Sequence, residues 1–101
     1  MAVTPDIKIE RSPRGGRYVA RIEGVPGEAE LVFTTRAPAI VSADHTFAPD
    51  TMRGTGVAAA LVERLIADAR AQGFRIIALC PYVRAQYARH PQWRDVMAGE
   101  P

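Results

Sequence analysis

Arg53-Gly54-Thr55-Gly56-Val57-Ala58 separates a strand-like run from a helix-like one, and the reading of that junction decides the fold. Upstream, Val41-Ser42-Ala43-Asp44-His45-Thr46-Phe47 alternates, which assigns Val41, Ala43 and Phe47 to one face. Downstream, Val57, Ala58, Leu61, Val62, Leu65, Ile66 and Ala69 recur at helical spacing, with Glu63, Arg64, Asp68 and Arg70 between them. A glycine turn leading from a strand into a helix N-terminus can cradle an anion. The first N–H groups of the helix have no intrahelical acceptor, and its dipole adds partial positive charge there. Glycines also let a phosphate approach the backbone closely. The same two glycines equally fit an ordinary loop with a permissive backbone. Two nucleotide motifs are excluded. No Gly-Lys-Ser/Thr follows, and the position three beyond Gly56 is Ala59, with no acidic residue closing a second strand about 20 residues on.

Working outward, the first half reads as an antiparallel meander. Ile7 to Arg11 alternates apolar and charged residues, and Pro13-Arg14-Gly15-Gly16 reads as a turn. Arg17 to Glu23 alternates again, with Tyr18, Ala20 and Ile22 on one face. Gly24-Val25-Pro26-Gly27 is the next turn, leading into Glu28 to Thr35, where Leu31 and Phe33 share a face. Pro38 separates this strand from Ile40 to Phe47. These connections are too short for helical crossovers, so neighbouring strands run antiparallel.

The second half changes character. A helix spans Gly56 to Gln72 and ends at Gly73, the expected cap residue. Phe74 to Cys80 follows as a nearly continuous apolar strand, expected to be buried on both faces. Strand, helix and strand of these lengths imply that the strands ending near Phe47 and Cys80 pair in parallel. After Pro81 a short helix is expected from Val83 to His90, stopped by Pro91, with Trp93 and Val96 anchoring the tail. Ligands of such sheets gather beyond the carboxyl ends of parallel strands. His45, the 53–58 turn, Cys80, Tyr82 and Tyr87 are expected to converge there.

Composition narrows the class. The 101 residues form one domain, 1–101, with a core over about 7–96, of 48% hydrophobic and 24% charged residues, an ordinary globular balance. A net charge of +2 is too small for a polybasic nucleic-acid or membrane binder. The single cysteine cannot form an internal disulfide. The N-terminus lacks a basic stretch followed by an apolar run, and no segment reaches transmembrane length, so a cytoplasmic location is expected. Cys80, His45 and His90 lack metal-ligand spacing, and no metal is expected. Arg84, Arg89 and Arg94 beside Tyr82, Tyr87 and Trp93 read as a solvated amphipathic helix in preference to a nucleic-acid stacking platform. Asp44 and Asp50 are either ordinary surface carboxylates or groups that steer a cationic amine.

Arg53-x-x-Gly56-x-Ala58, after a strand and opening an amphipathic helix, resembles the acyl-CoA signature of the GNAT superfamily of N-acetyltransferases. His45-Thr46 before it, and Cys80-Pro81-Tyr82-Val83-x-x-x-Tyr87-x-x-His90-Pro91-x-Trp93 after it, are similar to the short, single-domain YjdJ-like branch. The resemblance covers about residues 17–96 and implies an α/β fold of the α+β type. In it an N-terminal antiparallel meander precedes a β-α-β unit whose parallel strands splay apart, and a short C-terminal helix follows. It also implies acetyl-CoA as co-substrate. The pantetheine arm would pair with Thr46, Phe47 and Ala48, and the pyrophosphate would sit on the amides of Arg53, Gly54, Thr55, Gly56, Val57 and Ala58.

The implied activity is acetyl transfer to an amine or other nucleophile. Tyr87 occupies a place comparable to that of the family's tyrosine, which protonates the leaving CoA thiolate; the other reading is that it packs the helix on the sheet. The chain departs from the pattern in carrying His90-Pro91 where typical members have Gly-Phe. Cys80 is either a nucleophile that accepts the acetyl group first or a small buried hydrophobe. His45 is either a base or a structural strand-end histidine. Typical relatives build the acceptor site from helices between their first strands. Turns alone join those strands here, which points to a large acceptor such as a protein, or to completion of the site in a homodimer. The competing class is a non-catalytic CoA-binding or protein-interaction module that retains the fold.

Overall fold

A computed structural model describes residues 4–99. Five strands form one sheet in the order β1-β2-β3-β4-β5: β1 is Asp6–Ser12, β2 Gly15–Ile22, β3 Val25–Ala37, β4 Ile40–Phe47 and β5 Arg75–Ala78. The first four are antiparallel neighbours, and β4 pairs in parallel with β5. Helix α1, Val57–Gln72, makes the crossover between β4 and β5, and α2, Pro81–Arg89, follows β5. A 3₁₀ segment, Pro91–Val96, ends the regular structure.

The strand connections are tighter than the sequence reading. Ser12 pairs with Gly15, Ile22 with Val25, and Ala37 with Ile40, so each turn holds only two unpaired residues. Val25, Pro26 and Gly27, expected in a turn, open the long strand β3 instead. Pro81 starts α2 two residues before the expected position, because its missing N–H and fixed φ suit the first helical residue.

One hydrophobic cluster holds the layers together. Tyr18, Ala20, Leu31, Phe33, Val41 and Ala43 of the sheet meet Val57, Leu61, Val62, Leu65 and Ile66 of α1. Val83 and Tyr87 of α2, with Trp93 and Val96, join the same cluster. The helical stripe read from the sequence is therefore the buried one. The opposite sheet face is polar and laced with ion pairs. Arg17 meets Glu10 at 2.8 Å and Glu30 at 2.6 Å, and Arg21 meets Glu28 at 2.8 Å. With two-residue turns between the strands, no helix is available to cover that face, and charge takes the place of packing there. Exposed pairs of this kind are screened by solvent and contribute little, so they solubilise the face more than they stabilise the fold.

Two irregularities at the end of β4 correct the sequence reading. Val32 pairs with His45 but Phe33 pairs with Ala43, leaving Asp44 as an extra bulged residue. The bulge inverts the alternation beyond it. Phe47, assigned to the core face beside Val41 and Ala43, is 50% exposed. The second correction concerns β5, which spans only Arg75–Ala78 although the apolar run continues to Cys80. Its ladder with β4 stops at Ala43↔Ala78, and both Leu79 N–H (3.1 Å) and Cys80 N–H (2.9 Å) donate to the Ala43 carbonyl. Leu79, expected inside, is 51% exposed.

Tyr18 ties the sheet to α1 by donating from its hydroxyl to Asp68 Oδ2 at 2.8 Å. Burial, then that bond, hold its phenol above the ordinary value. The folded-state pKa lies above the unfolded one, so the native state retains the proton longer, and stability falls as pH rises through the unfolded phenol's range near about 10. Urea unfolding at pH 8 and at pH 11 is expected to show a larger loss of stability in the native sequence than in Tyr18→Phe.

Candidate functional site

The segment between β4 and α1 is fixed before it reaches the glycines. A 3₁₀ turn, Asp50–Met52, opens with Met52 N–H on the Pro49 carbonyl at 2.9 Å. Met52 is 1% exposed and plugs the loop into the hydrophobic cluster. Thr51 Oγ1 donates to the Pro26 carbonyl at 2.6 Å, tying the loop to the irregular start of β3. A Cβ on Gly27 would lie 3.2 Å from the Pro49 ring, so a side chain there would crowd this contact.

Gly54 and Gly56 then take φ of 79° and 78°. A residue with a Cβ would be strained there by about 1–2 kcal/mol. A Cβ at either position would nevertheless meet no atom within 4 Å, so the space in front of the turn is open. Thr55 Oγ1 donates to the Met52 carbonyl at 2.6 Å and lies 3.3 Å from Val57 N–H. Ala60 N–H reaches the Gly56 carbonyl at 3.0 Å. Among the described residues, the amides of Gly54, Gly56, Ala58 and Ala59 have no acceptor in the protein. These donors stand at the positive end of a 16-residue helix. Arg53 stands beside them, paired with Asp50 at 2.9 Å in an exposed contact that a stronger anion can displace. Asp50 is the one carboxylate on the cleft wall and opposes an anion there.

The turn forms one wall of a cleft of about 310 Å³ that runs from Ala48 and Pro49 past Gly54 and Gly56 to Ala58 and Ala59. Tyr82, from the first turn of α2, forms the other wall. Cys80, 5% exposed, ends the strand segment beside it, with its Sγ 3.4 Å from Thr46 Oγ1 across the gap between β4 and β5. The structure thus brings together Thr46, Ala48, the 53–58 turn, Cys80 and Tyr82.

Three other expected residues stand apart. His45 pairs with Val32 and faces away from Thr46, so strand alternation puts it on the opposite sheet face from the Cys80 thiol. Phe47 points to that same outer face. Tyr87 is 2% exposed, and its hydroxyl donates to the Gly99 carbonyl at 2.9 Å, away from the cleft. Asp44 is engaged on the outer face, accepting from Ser42 Oγ at 2.6 Å and from the Thr34 hydroxyl. Sequence reasoning missed Met52 as the loop anchor. The signal was an apolar residue isolated between Thr51 and Arg53 in an otherwise polar loop.

The model of the GCN5-related N-acetyl-transferase family matches residues 17–96, so the chain belongs to that family. A GCN5-like protein from Staphylococcus aureus, solved by NMR, shares the fold with a TM-score of 0.69 at 21% sequence identity. The alignment covers 93% of this chain and 90% of that one. No curated protein matches the sequence.

Replacing Tyr87 with Phe removes the donor to Gly99 and leaves the cleft walls untouched. Urea unfolding is expected to show Tyr87→Phe destabilised by about 0.5–1.5 kcal/mol, the usual net value of one hydrogen bond.

Proposed function

We propose that the protein is an acetyltransferase that uses acetyl-CoA as donor and passes the acetyl group to an amine or another nucleophile. One observation carries this reading. Four amides without acceptors and a displaceable arginine line a cleft that leads to the split between β4 and β5, in a chain of the GCN5-related family. Such a wall suits a diphosphate, whose oxygens accept from backbone N–H groups at a helix N-terminus. In this reading the pantetheine arm lies along Thr46 to Ala48 and presents the thioester beside Thr46 and Cys80.

In direct transfer a neutral amine attacks the thioester carbonyl carbon. The C–N bond forms, the C–S bond breaks with its electron pair remaining on sulfur, and the amine releases a proton to solvent. The chain contributes positioning and polarisation of the carbonyl. Amides at the start of α2 are available for the second task, since Tyr82 and Val83 N–H have no acceptor among the described residues. In the two-step variant the Cys80 thiolate attacks first, CoA leaves, and the amine then takes the acetyl group from the acyl-cysteine. The proximity of Cys80 to Thr46 at the mouth of the split is the observation behind that variant. Two-residue turns leave no helical wall for an acceptor, which favours a large one, such as a protein amine, or a site shared with a second copy. Among the described residues no helix is long and apolar enough to cross a membrane, and a cytoplasmic location accords with acetyl-CoA as donor.

Isothermal titration with acetyl-CoA is expected to give a Kd on the order of micromolar. Arg53→Glu should weaken it at least about tenfold, and Asp50→Asn should tighten it by removing the opposing carboxylate, each by ordinary charge effects. No binding by the native sequence would overturn the reading. Intact-mass measurement after incubation with acetyl-CoA separates the two routes: an acetyl adduct lost in Cys80→Ala supports the acyl-cysteine, and unchanged acetyl transfer by Cys80→Ala excludes it.

A further inference from the structure

A second cavity lies at the other end of the sheet, where β4 and β5 begin and α1 ends, and it shares no residue with the cleft described above. It encloses about 240 Å³ between the last turn of α1 and the core face of the sheet. Strand alternation puts Arg11 and Thr35 on that core face, two residues beyond Ile9 and Phe33 in their strands. An arginine on an apolar stripe calls for a partner, yet among the described residues Arg11 pairs with no carboxylate. Its one hydrogen-bond contact is long, 3.5 Å from Nη2 to Gln72 Oε1 across the exposed rim. Gly16, the β2 partner of Arg11, leaves the floor clear. A Cβ there would lie 3.1 Å from Phe33 Cζ and closer still to the Glu10 carbonyl. Phe33, Phe74, Val41 and Leu65 supply apolar walls.

Both signs of charge meet at this rim. Arg11 favours an anion. On the other side α1 ends at Gln72, and among the described residues the carbonyls of Arg70, Ala71 and Gln72 accept no hydrogen bond. That end of the helix carries partial negative charge and favours a cation. Asp68, behind Tyr18, is already committed to Tyr18 and Arg64. A ligand of one charge is opposed by one side of the rim, whereas a zwitterion suits both. We infer that the cavity is a second binding site, which takes a free amino acid with an apolar side chain. Its carboxylate accepts from the Arg11 guanidinium and displaces the weak Gln72 contact. Its ammonium donates to the α1 carbonyls and to the released Gln72 Oε1. Its side chain enters between Phe33 and Phe74. The volume limits that side chain to about one ring, since sites for drug-sized molecules run from about 300 Å³ upward. This site is independent of the acetyl-CoA reading.

Amide NMR during titration with phenylalanine is the test. A saturable shift is expected at Arg11, Gly16, Gly73 and Phe74, with a Kd on the order of a millimolar, while Gly54 and Gly56 stay still. Arg11→Gln removes the carboxylate's partner, and Gln72→Glu gives Arg11 a carboxylate of its own. Both residues are exposed, so neither change disturbs the core, and each should weaken binding at least about fivefold. 3-Phenylpropionate, which lacks the ammonium, and 2-phenylethylamine, which lacks the carboxylate, should each bind at least about threefold more weakly than phenylalanine. No saturable shift up to the solubility limit of phenylalanine, undiminished binding by either variant, or equal binding of either single-charge analogue would overturn the inference.

Discussion

The Ala43 carbonyl accepts two amides, Leu79 N–H at 3.1 Å and Cys80 N–H at 2.9 Å, and the rest of the candidate site depends on that shared acceptor. It closes the β4–β5 ladder one residue before the Asp44 bulge bends β4 away. A regular parallel pair would have continued to Cys80 and filled the gap with strand-to-strand hydrogen bonds. Instead, two strand ends separate with their polar backbone turned toward an opening. Bulges recur beside functional sites because they stop pairing and redirect a side chain. Here Thr46 is turned inward to meet the Cys80 thiol, while His45 and Phe47 are turned outward.

Residues 4–99 leave little material beyond the core. Among the described residues, all four helical segments share one hydrophobic cluster with one sheet face, and the other face is kept polar by ion pairs across neighbouring strands. The loop carrying the glycine turn is pinned from both sides, by Met52 in the core and by Thr51 on β3. That rigidity preorganises a cluster of donors, so ligand binding need not order them. Asp50 works against an anion in the same place, and its pairing with Arg53 offsets part of its charge.

Much of this was legible in the sequence, for identifiable reasons. The helical stripe from Val57 to Ala69 and the alternation in β2 report burial on one face, and burial is what periodicity encodes. The parallel β4–β5 pair followed from the length of the crossover alone. The bulge was not legible, because Asp44 is an ordinary polar residue in an alternating run, and only the register against Val32 and Phe33 reveals the extra residue. The misplacement of Phe47 followed from that one residue. Leu79 was misread because an apolar run cannot report where its partner strand departs. The two tyrosines of α2 were separable only by the Gly99 carbonyl, which lies twelve positions from Tyr87 and carries no sequence signal.

The central claim is that the acceptor-free amides at the start of α1 hold the CoA diphosphate. Amide NMR during titration with CoA tests it most directly. The account predicts that Gly54, Gly56, Ala58 and Ala59 shift together and saturably, with Thr46 and Cys80 following, while Gly24 at the far turn stays still. Saturable binding that moves other amides and leaves these four in place would contradict it, as would the absence of any shift at millimolar CoA.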